Sequence, residues 1–199
     1  MRWRLPLLCL VLAAAPAGCG GSSSPSSSSG HTSTVAERAD PPAALLRGWT
    51  RLVNNTAGFS LSLPPGWTSR GSTGGSTLLR SRDRALAVAV SADRSHDGAG
   101  DPPTTYLDRT VRNLAGYRGL RAGRAEAVRG LQYPAARVTA TGTFTRTRVR
   151  QAITLYALHR PGRVTYTLAV FRSAAIPAAR YAPYLQVMLR SFRGGPARA

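Results

Sequence analysis

Gly58-Phe59-Ser60-Leu61-Ser62-Leu63-Pro64-Pro65-Gly66-Trp67 is the stretch around which the rest of the chain can be arranged. Phe59, Leu61 and Leu63 alternate with Ser60 and Ser62, the period-two pattern of a strand with one dry and one wet face. Pro64 and Pro65 cannot donate to a ladder, so the strand stops there, and Gly66 lets the chain turn so that Trp67 folds back. Upstream, Trp49 to Val53 reads as a second strand, and the turn formers Asn54-Asn55-Thr56-Ala57-Gly58 join the two as a hairpin. Asn54-Asn55-Thr56 also matches a glycosylation sequon, a match to which no role is given.

Further along, Arg70 to Ser76 reads as a loop without the Gly-Lys-Ser/Thr ending of a phosphate-cradling motif, so nucleotide binding is dismissed. Thr77 to Ser91 supplies one or two strands, with Leu86, Val88 and Val90 alternating with small residues. Leu107, Val111 and Leu114 form an apolar helical stripe after Pro102-Pro103, with Asp101 expected as its cap and Gly116 as its stop. Arg124 to Val128 and Leu131 to Thr141 flank the turn Arg129-Gly130, and Pro134 implies an edge strand or a bulge. Thr147 to Leu158 and Val164 to Phe171 are rich in Val, Ile, Tyr, Phe and Thr and predict an antiparallel pair. Tyr181, Leu185, Met188 and Phe192 predict a closing helix, with Pro183 in its first turn, Arg190 and Arg193 near its carbonyl end, and Gly194-Gly195 after it. Asp40 to Leu46 allows a further short helix, capped by Asp40. The fold class expected is α+β, an antiparallel β-sheet covered by helices.

The amino terminus carries an address. Arg2 and Arg4 precede an apolar run from Leu5 to Ala15, the length of a signal-peptide core and too short for the roughly 20 residues that span a bilayer. Ala15-Pro16-Ala17-Gly18-Cys19, followed by a Ser/Gly tract, resembles the lipobox of bacterial lipoproteins. That resemblance implies cleavage between Gly18 and Cys19 and acylation of Cys19. Pro16 stands where lipoboxes usually have an aliphatic residue, so two other readings stay open: an ordinary A-x-A secretory site at Ala15-Pro16-Ala17, and a retained anchor. Residues 1–18 are thus the expected signal, 19–48 the lipidated cysteine and a disordered Ser/Gly/Pro-rich linker, 49–193 the folded domain, and 194–199 a disordered tail.

Only two cysteines occur, Cys9 in the signal and Cys19, so a processed chain forms no internal disulfide and must rely on a hydrophobic core. All 27 basic residues are arginine against 8 acids, a formal charge of +19. Loss of Arg2 and Arg4 with the signal leaves 25 arginines against the same 8 acids, or +17. Such a charge attracts nucleic acid, anionic lipid or anionic wall polymer, and an exported address excludes the first.

The region 49 to 193, through its Gly58 to Trp67 segment and its closing Leu185 to Arg193, resembles the PsbP-like and Ran-binding Mog superfamily, and within actinobacteria the LpqN and LpqT type of lipoproteins. The resemblance implies an α/β/α sandwich that docks to partners, with no catalytic residue to transfer and no cofactor. A membrane-anchored protein-binding module is therefore the first functional expectation. A carrier of lipid or another apolar ligand is the second and an envelope enzyme the third.

The residues themselves add few sites. Ser95-His96-Asp97 has the residue types of a hydrolase triad, but a triad needs groups that converge from separate elements. Asp93, His96, Asp97 and Asp101 could hold a hard cation, although a solvated loop before a helix explains them as well, and no metal site is expected. His159 reads as an exposed hairpin residue, and His31 and Glu37 carry no role. Arg80, Arg82 and Arg84, like Arg146, Arg148 and Arg150, have period-two spacing that projects each triplet from one strand face. Both triplets are candidate anion-binding sites, for anionic headgroups or acidic partner surfaces, beside the plainer reading of solvated edges that resist aggregation.

Overall fold

The computed structural model describes residues 47–71, 75–95, 100–160 and 163–195. The first hairpin forms as the pattern requires. Strand β1 (Thr50–Asn54) pairs antiparallel with β2 (Phe59–Leu63), Thr50 opposite Leu63 and Asn54 opposite Phe59. Gly58 closes the turn at φ 70°, where an L side chain would be strained, and donates to the Asn54 carbonyl at 2.9 Å. The Asn54 side chain accepts from the Ala57 N–H and donates to Thr77 Oγ1 and the Gly75 carbonyl, so this sequon asparagine is a structural clamp.

Phe59, Leu61 and Leu63 all point into the core. Their serine neighbours do not form a wet face, however. Ser60 is buried and Ser62 half-buried, because Arg51 lies across this side and donates to Ser60 Oγ at 3.2 Å. In addition, β2 is the middle strand of a three-stranded sheet, β1-β2-β11, in which β11 (Arg193–Gly194) pairs with Phe59 and Ser60. Gly194, expected to begin a tail, therefore belongs to the sheet, and the Gly195 N–H bonds to the Gly58 carbonyl at 2.8 Å. A Cβ on Gly194 would sit 2.6 Å from the Tyr166 ring, so only glycine fits there.

A larger sheet runs in the order β3-β4-β5-β10-β9-β8-β6, with β7 also pairing β8. Its strands are β3 (Thr68–Gly71), β4 (Thr77–Arg80), β5 (Leu86–Asp93), β6 (Tyr117–Ala122), β7 (Glu126–Val128), β8 (Ala135–Phe144), β9 (Arg150–Arg160) and β10 (Val164–Ser173). All pairs are antiparallel. The β9–β10 pair joins Val164 to Arg160 and Ser173 to Gln151, as the Val/Ile/Thr-rich runs predict. Two strands of this larger sheet are absent from the sequence reading. Arg70 and Gly71 lie in β3, not a loop, and Tyr117–Ala122 forms β6 after Gly116, with no alternating apolar signal in Tyr-Arg-Gly-Leu-Arg-Ala. Pro134 is neither in an edge strand nor at a bulge. It stands just before β8, an inner strand, where a missing N–H costs nothing, and its carbonyl accepts from the His159 N–H at 2.8 Å.

Helix α1 (Pro103–Arg112) covers one face of the large sheet. Tyr106, Leu107 and Val111 pack on Val138, Ala140, Ile153 and Leu155. Asp101 does not cap it. Pro102 occupies the cap position, and Asp101 instead pairs with Arg109 at 2.6 Å. On the opposite face, Val88, Val90, Leu168 and Val170 meet Phe59, Leu61, Leu63 and helix α2 (Ala182–Ser191), which contributes Met188 and Leu189. Phe192, at the end of α2, is fully buried against Phe59 and Tyr166. Arg193 then donates to the Arg190 and Phe192 carbonyls at 2.8 and 2.9 Å, which satisfies the carbonyl end of the helix. The described protein is α+β, mostly antiparallel sheet with two α-helices. Among the described residues, the two cores run from Ala57 to Phe192 and from Tyr106 to Ala157, and a compact unit spans Pro41–Ala199.

Candidate functional site

Neither arginine triplet forms a strand face. Arg80 ends β4, while Arg82 and Arg84 sit in the β4–β5 turn, Arg84 at φ 57°. Arg150 begins β9, while Arg146 and Arg148 sit in the β8–β9 turn, Arg148 also at φ 57°. Period-two spacing was misleading because each triplet straddles a tight turn. The Arg84 N–H bonds to the Ser81 carbonyl and the Arg148 N–H to the Phe144 carbonyl, so the chain reverses where an extended run was expected.

The sheet register brings the two triplets to one end. Leu86 at the start of β5 faces Arg172, Arg172 faces Ala152 and Ala152 faces Thr141, so the β4–β5 and β8–β9 turns project past the same rim. Arg118, near the start of β6, joins them. It lies opposite Thr143, which lies opposite Arg150, and residues paired in this way share one face. A cleft of about 520 Å³ opens here, lined by Arg118, Thr143, Phe144, Thr145 and Arg148. Arg118 gave no sequence signal because its role depends on pairing with β8, more than 20 residues away.

Asp83 is the one acid at this rim among the described residues, and its oxygens are already engaged. Oδ1 accepts from Ser81 Oγ at 2.5 Å and the Ala85 N–H at 3.1 Å. Oδ2 accepts from Tyr181 Oη at 2.6 Å and Arg180 at 2.9 Å. Burial draws its carboxyl upward, but these hydrogen bonds and the Arg180 charge together hold it below its ordinary value. The rim therefore has arginine charge that Asp83 does not neutralise.

A second polar group lies inside the opposite end. Asp93, Thr165 and His159 occupy facing positions on β5, β10 and β9. His159 is 6% exposed, not an exposed hairpin residue, because β9 and β10 extend to Arg160 and Val164 and enclose it. Its Nδ1 shares a 2.8 Å hydrogen bond with Thr165 Oγ1. Nearby, Tyr106 Oη lies 3.3 Å from Thr167 Oγ1. Of the residues weighed as cation ligands, Asp93 accepts from the Ser95 N–H at 2.9 Å and Asp101 pairs with Arg109, while His96 and Asp97 lie outside the described residues.

Burial depresses the His159 pKa below its ordinary 6.5, outweighing the opposing attraction of Asp101. A proton is thus taken up by the unfolded chain before the folded one. Stability is full above about pH 6.5, falls as the pH drops through that value, and levels off below the depressed folded pKa. Urea midpoints measured from pH 8 to pH 5 should show this decline, and His159→Gln should flatten it. An identical decline in the variant would exclude His159 as its source.

Gly18 and Cys19 lie outside the described residues, as do His31, Glu37 and the short helix expected at Asp40 to Leu46. Among the described residues no helix is long and apolar enough to cross a membrane.

No family model and no curated protein matches the chain. Solved structures do match in fold. A protein of Bacteroides thetaiotaomicron aligns with a TM-score of 0.54 at 13% identity over 75% of this chain, which spans only 49% of that protein. The Saccharomyces cerevisiae Ran-binding protein Mog1p aligns at 0.52 and 11% identity, covering 73% of this chain and 95% of its own. LpqN of Mycobacterium tuberculosis, described as involved in cell envelope biogenesis, aligns at 0.50 and 12% identity over 69% of this chain and 83% of its own. The class defined is thus a mostly antiparallel α+β domain with a basic rim. More particularly, it shares its fold with Mog1p and LpqN.

Proposed function

We propose that this chain is a lipid-anchored module of the cell envelope, cut before Cys19, acylated there, and holding a Mog-like α/β/α sandwich on the outer face of the cytoplasmic membrane. The module is non-catalytic and binds a protein partner. The observation that carries the reading is the fold shared with LpqN, involved in cell envelope biogenesis, and with the Ran-binding protein Mog1p, on a chain in which Ala17-Gly18-Cys19 follows an apolar run. The cleft is lined by two arginines, two threonines and one ring, a chemistry suited to an anion more than to an apolar tail, which disfavours the lipid-carrier reading.

Metabolic labelling with an alkyne palmitate analogue tests the anchor. The chain should take up label and fractionate with membranes, and Cys19→Ala should abolish both. A mature chain that starts at Gly18 without modification would overturn this. In-cell crosslinking of the full chain tests the binding role. Discrete protein adducts support it, and crosslinks to lipid alone refute it.

A further inference from the structure

The first described residues lie beside an arginine-rich turn. Gly48, at the start of the described chain, packs against Pro65, where a Cβ would lie 3.3 Å from the proline Cγ. Its neighbour Gly66 abuts Arg82, where a Cβ would lie 3.1 Å from Cδ. Gly48 therefore lies close to the β4–β5 turn. The same rim presents Arg82, Arg84, Arg118, Arg146, Arg148 and Arg150, with Asp83 engaged by Ser81, Ala85, Tyr181 and Arg180. The other described acids lie elsewhere: Asp93 and Asp101 toward the far end, Asp108 on α1 bonded to the Ala125 N–H, and Glu126 on β7 beside Arg137.

We infer that this rim is a membrane-docking face, which lies on anionic phospholipid headgroups of the bilayer beside it and seats a headgroup phosphate in the cleft between Arg118 and Arg148. Three features favour a lipid surface. The charge is spread over two turns and a strand start, a broad contact, and its sign complements phosphate. Guanidinium groups bind phosphate oxygens in pairs, and Thr143 lines the same cleft, while the Thr145 hydroxyl donates to the Gly116 carbonyl at 3.1 Å. Finally, about 30 residues separate Cys19 from Gly48, and a Ser/Gly-rich sequence of that length is expected to span about 30 Å, so a domain anchored at Cys19 remains within reach of the surface. This last feature alone rests on the lipid-anchored reading.

The test uses residues 20–199, which contain every described residue and lack Cys19, so its outcome is independent of acylation. Binding to phosphatidylglycerol vesicles should exceed binding to phosphatidylcholine vesicles and should weaken with salt. Each rim arginine is expected to contribute about fivefold, so Arg118→Gln, Arg146→Gln and Arg148→Gln together should cost about 100-fold. Arg118→Gln with Arg146→Gln, which leaves the left-handed Arg148 untouched, should cost about 25-fold. Arg124, Arg129 and Arg163 are exposed and lie away from the rim, and their replacement by Gln should change binding by about threefold at most. Equal losses from the two triple variants at matched melting temperature would refute the face, since net charge alone would then act. Equal binding to both vesicle types, or tighter binding to soluble polyphosphate than to vesicles at equal phosphate, would likewise overturn the proposal.

Discussion

Phe192→Ala is expected to destabilise the domain by about 3–5 kcal/mol in urea unfolding, the largest effect of any single truncation proposed for it. Phe192 is 0% exposed, stacks on Phe59 with centroids 5.7 Å apart and meets Tyr166 edge-on at 5.0 Å. It also sits between α2 and β11, so its ring fastens both to the hairpin strand. Truncation removes the packing and leaves a cavity that three chain segments cannot easily close. Tyr166→Phe is a useful contrast. It removes the 2.7 Å bond from Oη to the Gly58 carbonyl and the longer 3.4 Å one to the Gly195 carbonyl, while Gly58 still accepts from the Gly195 N–H, so about 1 kcal/mol is expected. A loss under about 1 kcal/mol for Phe192→Ala would mean that the closing helix is not docked as described.

Asp83→Ala should follow, at about 2 kcal/mol, since Tyr181 Oη loses its acceptor and the β4–β5 turn loses its tie to the start of α2. The magnitude is set at the lower part of the range for charged hydrogen bonds because the Asp83 side chain is 37% exposed. Asp83→Asn keeps an acceptor and should cost about half as much. The two states of this carboxyl also give a pH signature. Its folded pKa lies below the ordinary 3.8, so its stabilisation is complete above that value and fades as the pH falls through the depressed one. Acid titration of urea midpoints should show the advantage of the native chain over Asp83→Asn shrinking below pH 4. A gap that stayed constant to pH 2 would exclude the ionised carboxyl as its cause.

The hairpin, the β9–β10 pair and both helices were legible because each has a local, periodic signal. Phe59, Leu61 and Leu63, or Leu107 and Val111, recur at the spacing of their own element. Strands β3, β6 and β11 were not legible. Thr68–Gly71 and Tyr117–Ala122 are polar or mixed, and Arg193–Gly194 is two residues long. They are strands because a partner offers them an edge, and that partner lies elsewhere in the chain. His159 was misread for a similar reason, since a residue type says nothing about how far the flanking ladder extends. The arginine triplets show the reverse error, a regular spacing overruled by turns that the Ser81–Asp83 and Phe144–Arg148 bonds impose.

Taken alone, the amino-acid order determined the α+β class, the alternating core of β2, the two amphipathic helices, the excess of arginine and the expectation of a leader ending at Gly18, just before Cys19. These follow from short-range periodicity and composition, which survive without knowledge of neighbours. Only the tertiary structure decided that Arg82, Arg84, Arg118, Arg146, Arg148 and Arg150 gather on one rim, that Gly48 lies close to this rim, and that Asp83 is spent within it. The physical reason is that antiparallel register aligns strand ends distant in sequence, and no local pattern encodes which ends those are.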